Sequence, residues 1–140
     1  MISIIIPFFK RSEEDENRLK RLKASIDDQD YKDFEVIVEV DETGQGASKT
    51  RNAGAAKAKG DILFFIDHDC MLQPGMLREC HDQLQDNDDI SFVYGNYRFF
   101  GETVGDFYSQ PFDGYLLETF NYIPTMSPMK KEVFDKLGGF

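Results

Sequence analysis

Three short apolar runs recur at intervals of about thirty residues, the length of a strand–helix–strand unit. They are Ile2-Ser3-Ile4-Ile5-Ile6, Phe34-Glu35-Val36-Ile37-Val38-Glu39-Val40 and Ile62-Leu63-Phe64-Phe65-Ile66. Their length and β-branched or aromatic content predict strands. Between the first two, Leu19, Leu22 and Ile26 recur at helical spacing among charged residues, the mark of an amphipathic helix. Between the second and third, Ala53, Ala55, Ala56 and Ala58 predict a helix that starts near Ser48, a good N-cap, and stops at Gly60. This alternation predicts an α/β doubly wound, mostly parallel sheet with right-handed crossovers. Pro7 ends the first run, Asp41 the second, and the third leads into Asp67. Parallel strands would deliver all three to one carboxyl edge, where open α/β sheets bind ligands.

The third run is followed directly by Asp67-His68-Asp69. Two carboxylates in three residues repel each other and cost desolvation energy, so a packed core has no use for them. They are either solvated turn residues or ligands of a divalent cation, and hard oxygen donors suit Mg2+ or Mn2+. A metal so placed can hold the diphosphate of a nucleotide. His68 could be a base or a metal ligand, but the middle residue of such a turn is expected to point away from the site.

In chain order, the segments Ile4-Ile5-Ile6-Pro7-Phe8-Phe9-Lys10, Glu35-Val36-Ile37-Val38 up to Asp41, Arg51-Asn52-Ala53-Gly54, Gly60-Asp61-Ile62, Phe65-Ile66-Asp67-His68-Asp69, Val133-Phe134 and Gly138-Gly139-Phe140 resemble the N-terminal, nucleotide-sugar-binding part of family 2 glycosyltransferases. The resemblance implies a Rossmann-like GT-A fold, seen here as an incomplete domain truncated at its C-terminal end. It implies inverting transfer of a sugar from a nucleoside diphosphate donor, a UDP-sugar favoured, to a glycan, lipid or protein acceptor. A non-catalytic nucleotide-sugar-binding module is the alternative. Asp69 would ligate Mn2+ or Mg2+, with Asp67 near the ribose or a metal-bound water. Asp41 would accept from the base, and Pro7, Phe8 and Phe9 would wall the base, with Phe9 stacking on it. Lys10, Lys49 and Arg51 become candidates for the phosphates, and Asn52 for holding loop backbone. Two departures stand out. The family commonly shows paired acids where Val40-Asp41 stands, and its catalytic base lies in an acidic motif expected after Phe140.

Other classes fit less well. A receiver domain needs an acidic pair after its first strand, where this chain has Pro7-Phe8-Phe9-Lys10. A sugar-1-phosphate nucleotidyltransferase needs a Gly-rich, Arg-bearing loop there. The net charge of −10 opposes general nucleic-acid binding and unaided binding to anionic membrane. Much of that acid, such as Glu13-Glu14-Asp15-Glu16, reads as a solvated loop or helix start. Cys70 and Cys80 are expected as free thiols in a cytoplasmic protein, attached if at all to the inner face of a membrane through other regions. No run is long enough to span a bilayer.

The character of the chain changes near Ile90. The resemblance implies that residues 1–90 form the nucleotide half and residues 91–140 the acceptor-side half. The second half holds five of the six tyrosines and Phe92, Phe99, Phe100, Phe107, Phe112 and Phe120. Most of these rings are expected to pack the back of the sheet, with one or two facing ligand. A polar helix is expected from Pro74 to Leu84 with His81 exposed, and a short one carrying Glu132 and Asp135 that Gly138 ends.

Overall fold

The computed structural model describes all 140 residues. In order the elements are β1 (Ile2–Phe8), α1 (Glu13–Asp27), β2 (Phe34–Val40), α2 (Ala47–Ala55), β3 (Ile62–Phe65), α3 (Met76–Gln85), β4 (Tyr97–Phe99), β5 (Gly105–Phe107), α4 (Gly114–Thr119), β6 (Met129–Lys130) and α5 (Lys131–Leu137). The main sheet runs β2-β1-β3-β6, and β4 and β5 form a separate pair. β1 is parallel to both neighbours, with Ile2 level with Phe34 and Ile62. β6 returns antiparallel beside β3. This is the expected α/β sheet, mostly parallel and flanked by helices.

All seven residues of β1 are buried. The strand period of two divides the core between two faces. Ile4, Ile6, Phe64 and Ile66 pack with Leu22 and Ile26 of α1 and with Leu77 and Leu84 of α3. On the other face Ile5, Leu63 and Phe65 pack with Ala55 of α2 and Phe134 of α5. A buried polar tie closes the first layer. Gln29 donates to the Gln73 carbonyl at 2.9 Å and accepts from the Leu77 N–H at 3.2 Å. The end of α1 is thereby joined to the segment that leads into α3.

Several boundaries differ from the sequence expectation for physical reasons. β1 runs through Pro7 to Phe8 rather than ending at Pro7. The Ile5 carbonyl accepts from Ile66 on the β3 side, and the Phe8 carbonyl accepts from Asp41 on the β2 side. In a parallel strand each residue's N–H and C=O point to one side, so Pro7 faces β3, which has already ended at Phe65. Its missing N–H therefore costs no ladder bond. α2 starts at Ala47 with Gly46 as N-cap, not at Ser48, and its last residue is Ala55 rather than Ala58. Gly60 is needed elsewhere: a β-carbon there would lie 2.6 Å from the Met1 carbonyl oxygen and 2.8 Å from the Ser3 nitrogen.

The aromatic residues of 91–140 are a larger correction. Of the five tyrosines and the six phenylalanines counted there, only Tyr122 is buried, while Phe99, Phe100, Tyr108, Phe112, Tyr115 and Phe120 are exposed. The β4–β5 hairpin and the six-residue α4 have no second layer against them, so the rings stack mainly on one another, as Tyr97 does on Phe107 at 4.6 Å. His81 is half-buried against Tyr31, with ring centroids 4.6 Å apart, rather than exposed.

Gly54 lets α2 approach the sheet closely, because a β-carbon there would stand 2.5 Å from Ile5 Cγ2. Gly54→Val should lower stability by about 1–3 kcal/mol, the usual cost of overpacking a filled core. Urea unfolding checks this, and an unchanged midpoint would mean that the layer is looser than described.

Candidate functional site

The carboxyl ends of β1, β2 and β3 border one cleft of about 490 Å³. Pro7, Phe8 and Phe9 line it from β1 and its following loop. Asp41, Gly44 and Gly46 line it after β2, Thr50 and Arg51 from α2, and Asp67, His68 and Asp69 after β3. The cleft also takes in Arg11, just before α1, and Asp15 and Arg18 from its first turns, which were not singled out in the sequence as cleft residues. The structure thus brings together Pro7, Phe8, Phe9, Asp41, Arg51, Asp67 and Asp69. It leaves out Lys49, which is exposed, and Lys10, which pairs with Glu16 at 2.6 Å. None of the tyrosines or phenylalanines of the second half lines it.

Asp41 is 5% exposed, and its carboxylate organises the loop that follows it. One oxygen accepts from the N–H groups of Thr43 (3.2 Å) and Gln45 (3.0 Å), and the other accepts from that of Gly46 (2.9 Å). Gly44 and Gly46 have φ of +71° and +96°, a backbone that L side chains rarely adopt, which lets these N–H groups turn inward. Burial pushes the Asp41 carboxyl up, but the N–H groups of Gly46, Gln45, Thr43 and Gly44 outweigh it and hold the group below its usual range. The same loop explains why α2 begins at Ala47.

Arg51 spans the cleft from α2. Its Nη2 donates to Asp67 Oδ1 at 2.7 Å, and its guanidinium lies 5.6 Å from the centroid of the Phe140 ring. Its Nε is buried and has no acceptor in the chain. Asn52 holds loop backbone as expected, and the backbone is that of the closing segment: it donates to the Phe140 carbonyl at 2.9 Å and accepts from its N–H at 3.0 Å. Asp69, next along the turn, is exposed and has no cationic partner; only Cys70 Sγ approaches its carboxylate, at 3.8 Å. Both cysteines are free. Burial, and then the charges of Asp69 and Asp67, push the Cys70 thiol up to about 12, so it is no nucleophile at neutral pH.

His68 does not point away. Its Nε2 lies 3.3 Å from Asp15 Oδ1, and its ring packs edge-on against Phe8 at 5.4 Å between centroids. Asp15 is itself buried, unlike its acidic neighbours. Its other oxygen accepts from the N–H groups of Arg11 and Ser12, both at 2.9 Å, and from the Ser12 hydroxyl at 3.2 Å. The signal for it was present in the sequence: Ser12-x-x-Asp15 before an amphipathic run is a helix-capping pattern. The Arg11 N–H is the largest influence on its carboxyl, burial opposes it, and the net effect holds it at about 2.

Asp15 and Asp41 both titrate below their ordinary value of 3.8 in the folded chain. The unfolded chain therefore takes up protons first as pH falls, so their stabilisation is full above about pH 4 and is lost as each folded carboxyl titrates, toward about pH 2 for Asp15. Urea midpoints should fall across that window. Asp15→Asn should be less stable at pH 5 and show a shallower fall; a curve parallel to the unaltered chain would show that Asp15 carries none of it.

The sequence model described as Glycosyl transferase family 2 matches residues 40–138. The chain is 29% identical to a Haemophilus influenzae protein named as an uncharacterized glycosyltransferase, over 99% of this chain and 56% of that one. It superposes with a TM-score of 0.74 and 16% identity on S. aureus TarS 1-349 in complex with UDP-GlcNAc, covering 97% of this chain and 47% of that one. The mannosyltransferase PcManGT from Pyrobaculum calidifontis, in complex with GDP-Man and Mn2+, gives a TM-score of 0.66 at 16% identity, covering 99% and 47%. At such identities the structural likeness speaks for fold alone, and the chain spans about half the length of the Haemophilus relative. The family match extends over most of the chain and the sheet superposes on GT-A enzymes, so this chain belongs to glycosyl transferase family 2 and carries the N-terminal part of a GT-A fold.

Proposed function

We propose that the chain is the nucleotide-sugar-binding part of an inverting glycosyltransferase that moves a sugar from a nucleoside diphosphate donor, a UDP-sugar favoured, to a glycan, lipid or protein acceptor. The observation that carries this reading is the convergence of Phe9, Asp41, Arg51, Asp67 and Asp69 on one cleft at the carboxyl edge of the sheet. The family match supports it, as do UDP-GlcNAc in TarS and GDP-Man in PcManGT.

Phe9, 40% exposed beside the buried Phe8, offers a ring face to the base. Asp41 Oδ2 accepts one backbone N–H and keeps a lone pair for a base N–H. Asp67, held by Arg51 through one oxygen, offers the other to a ribose hydroxyl or a metal-bound water. Arg51, with an unpartnered N–H, supplies positive charge toward the diphosphate. A divalent metal fits these residues: Asp69 is an exposed hard oxygen donor without a cation, while Asp67 is already paired with Arg51 through one oxygen. No three His, Cys, Asp or Glu side chains form a cage, so an ion here would draw further ligands from diphosphate and water. When bound, Mn2+ or Mg2+ supplies Lewis-acid stabilisation of the diphosphate leaving group. Residues 1–90 serve the nucleotide and residues 91–140 the acceptor side. The acceptor hydroxyl attacks the anomeric carbon in line, giving its proton to a carboxylate base expected after Phe140. No helix is long and apolar enough to cross a membrane. The reading places the work in the cytoplasm, with any contact to the inner membrane face made by other regions.

Calorimetry tests this. Uridine diphosphate should bind more tightly with Mn2+ than with a chelator, and Asp69→Ala should remove most of that difference. Asp41→Ala should weaken binding about tenfold or more, since it strips both the loop and the base of an acceptor. Equal affinity with and without metal would end the metal role, and no binding at all would end the nucleotide reading.

A further inference from the structure

The donor scheme leaves the Asp15–His68 pair without a task. The pair is costly: a third carboxylate lies beside Asp67 and Asp69 in a chain of net charge −10, and burying it disfavours its charged form. The start of α1 offsets part of this with its positive end and the N–H groups of Arg11 and Ser12. Those bonds use only one carboxylate oxygen. The other is turned to a ring 53 positions along the chain, on the loop after β3.

We propose that Asp15 and His68 form a tie that clamps the turn of Asp67, His68 and Asp69 against the segment from Phe8 to Ser12, and thereby positions the Asp69 carboxylate toward the metal and diphosphate. The consequence for Asp69 rests on the donor reading above, whereas the tie is a property of the free chain. An ionised Asp15 has no hydrogen to give, so His68 Nε2 carries the hydrogen and donates it. The ring's edge contact with Phe8 holds it from the β1 side. Arg51 pins the turn at Asp67 and Asp15 pins it at His68, while the Asp69 side chain has no strong partner of its own. The direction of its carboxylate therefore follows from a backbone held at the two preceding residues. Asp15 and His68 are positioning residues in this scheme, acting through Asp69.

Hydrogen exchange of the ligand-free chain reads the tie directly. His68→Ala leaves the Ser12–Asp15 cap intact and should speed exchange in both the 9–12 and 67–70 segments while β1 and β3 stay protected. His68→Gln, which restores a donor near the Nε2 position, should bring both segments back. In calorimetry His68→Ala should cut the Mn2+-dependent gain in uridine diphosphate affinity roughly ten- to a hundredfold, the range for residues that orient a metal ligand from behind it. Metal-free affinity should fall by a smaller factor, since Phe9 and Asp67 are loosened as well, and Gln should rescue the gain. Faster exchange in one segment only, or no change in either, would overturn the tie, and an equal loss with and without metal would overturn its role in positioning Asp69. If the unaltered protein binds no nucleotide, the donor reading fails instead, and exchange alone decides the tie.

Discussion

β1 is hydrogen-bonded on both sides and covered on both faces, and the other site-bearing elements take their positions from it. Because β2 and β3 both run parallel to it from a common start at Ile2, Phe34 and Ile62, their carboxyl ends emerge at one edge. Differences in length shape the cleft. β3 ends level with Ile5, while β2 continues alongside to Phe8. The β3 turn is therefore set back, with Phe8 and the loop after it rising beside it. Pro7 can sit in this projecting part because its ring nitrogen faces the side that β3 has vacated.

The second constraint is electrostatic. Four carboxylates line one cleft of an acidic chain, and three are balanced by different means. Asp41 is wrapped in backbone N–H groups, Asp67 is paired with a guanidinium, and Asp15 is held by a helix start and a histidine. Each of these interactions also immobilises backbone. Asp69 alone is left with neither a cation nor a strong donor. A site that leaves one hard anion unbalanced among three balanced ones is suited to a cation that arrives with its ligand, a different design from a cage that holds metal permanently.

Much of the site was legible because strands announce themselves. Runs such as Ile2–Ile6 and Ile62–Ile66 cannot be solvated, and whatever follows them must lie at a sheet edge. That logic placed Pro7, Asp41 and Asp67 together, and the ordered motifs around them carried the family. Helix ends were less legible. Ser48 has the right chemistry for an N-cap, but the carboxylate of Asp41, seven positions earlier, had already organised the loop and made Gly46 the N-cap. The aromatic second half misled because composition reports that rings prefer burial, while burial needs a facing layer, which the β4–β5 hairpin and α4 lack.

The sequence by itself determined the strand–helix alternation, the parallel sheet, the edge where chemistry gathers and the side chains offered there, because these follow from apolar periodicity and from local chain geometry. Only the tertiary structure decided which partners those side chains take. That Arg51 turns to Asp67, that His68 turns inward to Asp15, and that Asn52 clasps Phe140 88 positions away depend on distances across the fold. No spacing along the chain encodes such distances, since they exist only once β1, β2 and β3 have been brought into register.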